Sequence, residues 1–203
     1  IAFNPVKFGI SFTLTQLTQA GALVHVYNDG SVRINHGGTE MGQGLFQKVA
    51  QVAAHIFGIP IKKVQITATD TAKVPNTSAT AASSGSDLNG MAVKEACDII
   101  CARISSYFIE KYRPNRNDVK FEDGRVRGSN FDIPFEDAVY EIYTQRISLS
   151  STGFYKTPDL QWDRIKGKGR PFYYFAYGAA VSEVVVDTLT CLLYTSPSPR
   201  DWL

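Results

Sequence analysis

The sequence lacks several patterns that would assign it to a familiar class of protein. Its three cysteines are Cys97, Cys101 and Cys191, and their spacing fits neither a zinc site nor an iron–sulfur cluster. Lysine and arginine are scattered and the formal net charge is only +2, so no nucleic-acid-binding surface is expected. No apolar run approaches the roughly 20 residues that cross a bilayer, and residues 1–5 carry no signal-like segment. We therefore expect a cytoplasmic protein that binds neither nucleic acid nor a membrane.

What is present is sufficient for a packed core. Of the 203 residues, 44% are hydrophobic and 20% are charged, which are ordinary values for a globular protein. Cys97 and Cys101 are four residues apart on a predicted helix, and we expect them to be small core residues in a reducing compartment. The chain has no initiator methionine, and we expect it to begin inside a longer polypeptide.

The most informative segment is a glycine-rich stretch at residues 35–44, Asn-His-Gly-Gly-Thr-Glu-Met-Gly-Gln-Gly. It follows a predicted β-hairpin, residues 22–27 and 31–35, and precedes an amphipathic helix predicted over residues 43–57. Glycine permits positive φ and close approach of the backbone to a ligand, and the first amides of a helix favour anions. The pattern indicates a cradle for the polar, phosphorylated part of a ligand. A glycine-rich hairpin exit without a ligand is the alternative.

A second unusual segment, residues 75–86, consists mainly of small and hydroxylated side chains. It leads into a long helix predicted over about residues 87–111, with Asp87 or Ser86 as its N-cap. Many backbone amides and hydroxyl groups with little steric bulk would make a second ligand cradle of the same kind. A flexible serine- and alanine-rich linker is the alternative interpretation.

The remaining pattern predicts an α+β fold in which long helices pack against mixed sheets. Gly58 and Pro60 are expected to end the first helix. Further elements are predicted as strands at residues 64–69, 148–155 and 172–186, a hairpin at residues 120–127 and a short helix at residues 135–143.

No catalytic residue can be assigned from the pattern alone. The glycine-rich segment is neither a P-loop nor a dinucleotide fingerprint, because the required lysine and third glycine are absent. His25, His36 and His55 are interpreted as structural. Glu40 is either an acid or base or, as we favour, a carboxylate that pairs with a backbone amide or an arginine. The individual residues therefore indicate two cradles that could hold an anionic cofactor, and they do not indicate a reaction.

Five segments together resemble the molybdopterin-binding part of the xanthine dehydrogenase family, within the xanthine oxidase and aldehyde oxidase superfamily. They occur in order and without large gaps, at residues 8–13, 37–44, 74–83, 148–155 and 170–178. The resemblance covers residues 1–190 and is closest to the bacterial split form. It implies a partial molybdopterin-binding domain of the α+β class.

The resemblance also implies site residues. For the cofactor these are Met41, Gly42, Gln43, Thr80, Ala81, Ala82 and Ser83. Phe12 matches the aromatic residue that meets the purine edge-to-face, and Thr13 matches its substrate-contacting neighbour. No residue here matches a catalytic or metal-ligating position, since the family's general-base glutamate lies in a Gly-Glu-Pro-Pro-like motif that this sequence lacks.

The activity implied by the resemblance is oxidation of hypoxanthine and xanthine to urate in purine catabolism. The implied cofactors are molybdenum-molybdopterin, two [2Fe–2S] clusters and FAD, with NAD⁺ as the electron acceptor. The clusters and FAD would lie in another domain or subunit, so a hetero-oligomer is expected, and this chain alone should be inactive. An aldehyde oxidase-type enzyme and a non-catalytic cofactor-binding remnant are the alternatives.

The tail, residues 191–203, does not continue the pattern of the preceding strand. Its serine- and proline-containing text resembles translated sequencing-adapter read-through and is expected to be non-native. A genuine divergent tail is the alternative. We assign no function to it.

Overall fold

The computed structural model describes residues 1–73, 77–114 and 118–194. Part of the second predicted cradle, residues 75–76, and most of the tail, residues 195–203, therefore lie outside the described residues. The partial domain expected over residues 1–190 stays a prediction. The chain forms two compact units.

One unit consists of Ile1–Ile10 and Tyr174–Leu203, and the other of Ser11–Tyr173. Within the described residues, the strands are β1 (Ala2–Ile10), β2 (Gln19–Val26), β3 (Val32–His36), β4 (Val64–Ile66), β5 (Lys120–Glu122), β6 (Arg125–Gly128), β7 (Phe131–Pro134), β8 (Ser150–Lys156), β9 (Gln161–Asp163), β10 (Lys168–Arg170), β11 (Tyr174–Ser182), β12 (Val185–Val186) and β13 (Leu193–Tyr194). The helices are α1 (Leu45–Phe57), α2 (Gly85–Tyr112) and α3 (Phe135–Thr144). This mixture confirms the α+β class. In the described part of the chain, no helix combines the length and apolar character of a membrane span.

The larger unit is built on a four-stranded mixed sheet with the order β4-β3-β2-β8. Strands β3 and β4 are parallel, and the other neighbours are antiparallel. The hairpin predicted from the turn signal before Gly30 is confirmed, with Ala22 opposite His36 and Val26 opposite Val32. Because β3 ends at His36, the glycine-rich segment leaves directly from the sheet. A separate three-stranded antiparallel sheet has the order β5-β6-β7, and β9 pairs with β10.

Helices α1 and α2 pack beside this sheet, and most of the helical residues in the core belong to them. Leu45, Val49, Ala53 and Phe57 of α1 are almost fully buried, which is the spacing expected of one helix face. Gly58 ends α1 in the left-handed conformation, as predicted. The core cluster joins these residues to alternate residues of β2 and β3 and to one side of α2.

The predicted role of the cysteines at the centre of α2 is confirmed for Cys97. Its side chain is fully buried in the core cluster, and Cys101 packs against the cluster as a half-buried residue. Burial raises the pKa of the Cys101 thiol to about 12 and also raises the pKa of Cys97. Both groups therefore stay protonated at neutral pH, and neither is a nucleophile or a metal ligand in this state.

The smaller unit contains a two-stranded antiparallel ribbon of β1 and β11, paired from Ala2 opposite Ser182 to Ile10 opposite Tyr174. Exposed apolar side chains include Phe3, Val6, Phe8, Tyr177 and Val181. The same unit pairs β12 with β13. Strand β13 is two residues long and lies in the tail, where the sequence predicts no strand or helix. The exposed apolar surface expected from the sequence is thus present, and low solubility of the isolated chain remains a prediction.

Candidate functional site

The two predicted cradles meet at one cavity of about 480 Å³ in the larger unit. Its described lining residues are Met41, Gln43, Leu45, Lys48, Thr80, Ala81, Ala82, Ser83, Gly85 and Ser86. Six of the seven cofactor-binding residues predicted from the sequence are in this set, and Gly42 is the exception. Segments about forty residues apart in the chain therefore share one site.

A hydrogen bond joins the two segments directly. The backbone amide of Thr39 donates to Oγ1 of Thr80 across 2.8 Å. The glycine-rich segment therefore takes its position from the second segment as well as from the end of β3. Sequence reasoning missed the part played by Thr39, because no local pattern indicates which distant acceptor an amide will meet.

Glu40 organises the start of α1. One carboxylate oxygen accepts hydrogen bonds from the amides of Gly42 and Gly44, at 2.8 and 3.0 Å, and the other accepts from the amide of Phe46 at 2.9 Å. These bonds, chiefly that from the Phe46 amide, hold the pKa of Glu40 below its usual range. The interpretation of Glu40 as a carboxylate paired with backbone amides is confirmed, and an acid–base role has no support.

This arrangement corrects one prediction about the first cradle. The amides at the beginning of α1 were expected to point outward toward an anion. In the structure Glu40 accepts the amide of Phe46 in the first turn of α1, together with those of Gly42 and Gly44 just before it. Gly44, just before α1, has φ of 75°, a left-handed conformation that glycine adopts without strain. The carboxylate of Glu40 therefore binds these backbone amides itself, and the first segment contacts the cavity mainly through side chains.

Gln43 forms two further side-chain hydrogen bonds within the same segment. Its Oε1 accepts a hydrogen bond from the amide of Met41 at 2.6 Å, and its Nε2 donates to the carbonyl oxygen of Thr39 at 2.9 Å. A primary amide has two donor hydrogens and two acceptor lone pairs. One donor and one acceptor site of Gln43 consequently remain for a ligand in the cavity that this residue lines.

The second segment differs from its prediction at the start of α2. The sequence predicts Asp87 or Ser86 as the N-cap, but the helix begins at Gly85 with Ser84 before it and no side chain capping it. The hydroxyl of Ser84 donates instead to the carbonyl oxygen of Ala81 at 3.1 Å. Because Gly85 and Ser86 line the cavity, the uncapped, partially positive end of a 28-residue helix lies at this site.

The residues before Ser84 are held in a strained conformation. Ala82 and Ser83 have φ of 54° and 55°, in the left-handed region that residues with a Cβ atom seldom occupy. Such residues cost roughly 1–3 kcal/mol each and concentrate at ligand sites. Both line the cavity, so the strain lies where the sequence places the second cradle.

The buried side chain of His36 contacts the glycine-rich segment. Its ring is 1% exposed, its Nδ1 accepts a hydrogen bond from the amide of Gly38 at 3.1 Å, and it packs edge-to-face with Phe46. Burial lowers the pKa of His36 to about 4. The ring is therefore neutral at pH 7, which fits the predicted structural role and excludes a charged contact to an anion.

Close packing, not a ligand, explains the glycine at position 38. A Cβ atom added there would lie 2.6 Å from Cδ2 of Leu45 and 2.7 Å from Nδ2 of Asn89. Asn89 is itself buried and donates from Nδ2 to the carbonyl oxygen of Gly85 at 2.8 Å. Sequence reasoning missed Asn89, although an asparagine inside a helix is an available signal that its side chain has a specific partner.

The predicted substrate residues Phe12 and Thr13 also belong to the larger unit. Phe12 is half-buried and Thr13 is exposed, in the irregular segment before the short 3₁₀ turn Thr15–Leu17. Neither is among the described residues that line the cavity. Their predicted contact with the substrate stays a prediction.

One protein-family model matches nearly the whole chain. The model of the molybdopterin cofactor-binding domain matches residues 1–194. The chain therefore belongs to the molybdopterin cofactor-binding domain family.

Curated relatives show more specifically which proteins this chain resembles. The chain is 51% identical over 186 residues to xanthine dehydrogenase/oxidase of Mus musculus, with 92% of this chain and 12% of the relative covered. It is also 51% identical over 190 residues to xanthine dehydrogenase of Oryza sativa subsp. japonica, with 94% and 12% covered. The chain thus spans about an eighth of the length of these relatives.

Solved structures show the same fold at much lower identity. Quinoline 2-oxidoreductase from Pseudomonas putida 86 matches with a TM-score of 0.75 at 22% identity, covering 94% of this chain and 25% of that one. The aldehyde oxidoreductase from Desulfovibrio gigas matches with a TM-score of 0.69 at 19% identity, covering 94% and 18%. At these identities the likeness concerns the fold alone.

Proposed function

We propose that this chain is the molybdopterin-binding part of a molybdenum hydroxylase that oxidises hypoxanthine and xanthine to urate. The observation that carries the proposal is the cavity lined jointly by Gln43 and the segment from Thr80 to Ser83, in a chain of the molybdopterin cofactor-binding family. Relatives named xanthine dehydrogenase, 51% identical over nearly all of this chain, support purines as the substrate class.

The chemistry of the cavity suits a flat, phosphorylated ligand with many polar edges. Gln43 and Ser83 offer hydrogen-bonding groups, while the small Ala81 and Ala82 leave room for a ring system. The uncapped start of α2 favours a phosphate. These residues would bind and orient molybdopterin, and the molybdenum centre, when bound, would supply the redox chemistry of the hydroxylation.

Met41 and Gly42 complete the proposed contacts of the first segment. Met41 is an exposed, polarizable side chain on the cavity. Gly42 has φ of 95°, and no atom lies within 4 Å of the position that a Cβ would occupy. Since its amide is bonded to Glu40, Gly42 would meet the cofactor through its open backbone face.

The substrate contacts are proposed for Phe12 and Thr13. The edge of the Phe12 ring would meet the face of the purine, an arrangement that aromatic groups favour, and Thr13 would contact the substrate beside it. No catalytic residue is proposed within this chain. The general base would lie in a part of the parent protein beyond this sequence.

The remaining cofactors and partners follow from the same proposal. Two [2Fe–2S] clusters and FAD would lie in another domain or in a second subunit of a hetero-oligomer, with NAD⁺ as the acceptor and the cytoplasm as the location. The share of the relatives that this chain covers, 12%, leaves ample length for such domains. This chain alone would be inactive.

The test uses the full-length parent protein and two matched leucine variants. Ala81 and Ala79 are both exposed, but Ala81 lines the cavity and Ala79 does not. Ala81→Leu should lose most of its molybdenum, its pterin and its formation of urate from xanthine, because the added side chain fills space that the cofactor needs. Ala79→Leu should keep all three.

The outcomes separate the alternatives. A wild-type parent that contains no molybdenum, or an Ala81→Leu variant that retains the cofactor, would contradict the proposed site. A molybdenum-loaded parent that oxidises aldehydes but not xanthine would support the aldehyde oxidase-type alternative. A parent that binds the cofactor without oxidising either substrate would be a non-catalytic remnant.

A further inference from the structure

Lys48 is a cavity residue that the sequence patterns did not single out. It lies one turn into α1, where its backbone amide donates to the carbonyl oxygen of Gly44 at 3.1 Å, and its side chain lines the cavity with Thr80, Ser83 and Ser86. Its backbone is therefore fixed by the helix while its charged end is free to reach a ligand.

None of the residues that the structure describes neutralises the charge of Lys48. Over the described residues, Lys48 forms no ion pair within 4 Å and no side-chain hydrogen bond, whereas five other lysines are paired, namely Lys63, Lys73, Lys94, Lys111 and Lys166. The carboxylate of Glu40, in the segment before α1, accepts hydrogen bonds from three backbone amides. An unpaired cation beside a cavity is available for an anion.

The rest of the cavity has the same electrostatic preference. Among the described lining residues, Lys48 is the only one with a charged side chain. The start of α2, where Ser84 forms no side-chain cap, adds partial positive charge at Gly85 and Ser86, which Asp87 in the first turn offsets in part. The ammonium group of Lys48 on α1 and the N-terminus of α2 thus both favour an anion in this cavity. None of the described lining residues is acidic.

We propose that Lys48 is a direct ligand of the phosphate group of the bound pterin and that it controls how long this chain retains the cofactor. The inference rests on the proposed function, because it takes molybdopterin as the occupant of the cavity. A lysine ammonium acts as a compact point charge toward phosphate. Its contribution should therefore depend on charge and be screened by salt.

The test compares cofactor retention in the full-length parent protein. Lys48→Met and Lys48→Gln remove the charge, Lys48→Arg keeps it, and Lys62→Met removes the charge of another exposed lysine that does not line this cavity. Molybdenum is measured by elemental analysis, and released pterin by fluorescence after oxidation. Release is followed below the unfolding temperature at low and high ionic strength.

We expect both neutral variants to release pterin about tenfold faster than wild type at low ionic strength, as for loss of a hydrogen bond to a charged group. High salt should accelerate release from wild type but have little further effect on Lys48→Met. Lys48→Arg and Lys62→Met should behave like wild type.

Equal release rates and equal salt dependence in Lys48→Met, Lys48→Gln and wild type would overturn the role of Lys48 while leaving the proposed function intact. A wild-type parent without molybdenum and pterin would overturn both. Because Lys48 is exposed, folding of the variants is expected and can be verified by circular dichroism.

Discussion

The amide of Thr39 and the hydroxyl oxygen of Thr80, 2.8 Å apart, link the two segments that form the cavity. The first segment is also held by Glu40 and Gln43 within it and by the Thr69 hydroxyl, which donates to the carbonyl oxygen of Gly38. The second is also held by the turn before α2 and by Thr77, whose hydroxyl oxygen accepts from the amide of Gly21. The relative position of the two cavity walls therefore depends in part on one hydrogen bond between residues far apart in the chain.

Removing the acceptor should loosen this link. Thr80→Val keeps the shape of the side chain but leaves the Thr39 amide without its partner, at a cost of about 1 kcal/mol in the free energy of unfolding. Cofactor retention in the parent protein should fall as well. Thr80→Ser, which keeps the hydroxyl, is the control, and equal midpoints of urea denaturation for the valine and serine variants would refute the link.

Glu40 should control the order of the segment between β3 and α1. Glu40→Ala removes the acceptor for the amides of Gly42, Gly44 and Phe46, so their hydrogen exchange should accelerate. Since the pKa of Glu40 is lowered in the folded state, its stabilising effect is present above the unfolded pKa and is lost as acid protonates the folded carboxylate. Glu136→Ala, an exposed carboxylate paired with Lys63, should leave those three amides unchanged.

Stability should fall between pH 6.5 and about pH 4 because of His36. Burial lowers its pKa from 6.5 to about 4, so in this interval the unfolded chain binds a proton that the folded chain does not. The stabilisation is complete above pH 6.5, and up to roughly 3 kcal/mol is lost as the pH falls to the folded pKa.

Urea denaturation of the parent protein at pH 7 and pH 5 checks this dependence. His36→Gln replaces the ring with a neutral group that does not titrate in this range, and the part of the pH dependence due to His36 should disappear. His55→Gln, at an exposed position of α1, should retain it. An unchanged pH dependence in His36→Gln would show that His36 is not the source.

Added bulk at Gly38 should destabilise the larger unit. The new Cβ of Gly38→Ala would lie 2.6 Å from Leu45 and 2.7 Å from Asn89, and overpacking of this kind costs about 1–3 kcal/mol in the free energy of unfolding. Thermal denaturation measures the effect. Gly178→Ala, where no atom lies within 4 Å of the new Cβ, is the control for a glycine with open space around it.

The origin of the tail can be tested at the level of DNA. We expect the parent reading frame to diverge after Thr190, with glycine in place of Cys191 and a Gly-Glu-Pro-Pro-like motif further on. Sequencing the parent DNA across these codons decides between the two interpretations. A frame that encodes Cys191–Leu203 and then stops would make the tail genuine and leave only the cofactor-binding remnant.

Local pattern was sufficient where the determinants are near in sequence. The hairpin of β2 and β3 follows from alternation around a turn, and α1 follows from apolar residues on one helical face and from Gly58 at its end. The start of α2 was less predictable. The sequence favours Asp87 or Ser86 as the N-cap, but the helix begins at Gly85, and the Ser84 hydroxyl before it donates to the carbonyl oxygen of Ala81.

By itself, the sequence determined the class of fold, the three helices, the hairpin of β2 and β3, and the two segments that line the cavity. Periodic burial and turn chemistry act over a few residues and can be read directly. Only the tertiary structure decided that Thr39 meets Thr80 and that Lys48 lines the same cavity as Ser83. It also decided that Glu40 accepts the amide of Phe46 at the start of α1. These contacts depend on how α1 and α2 pack beside the sheet, and that packing depends on residues far apart in the chain.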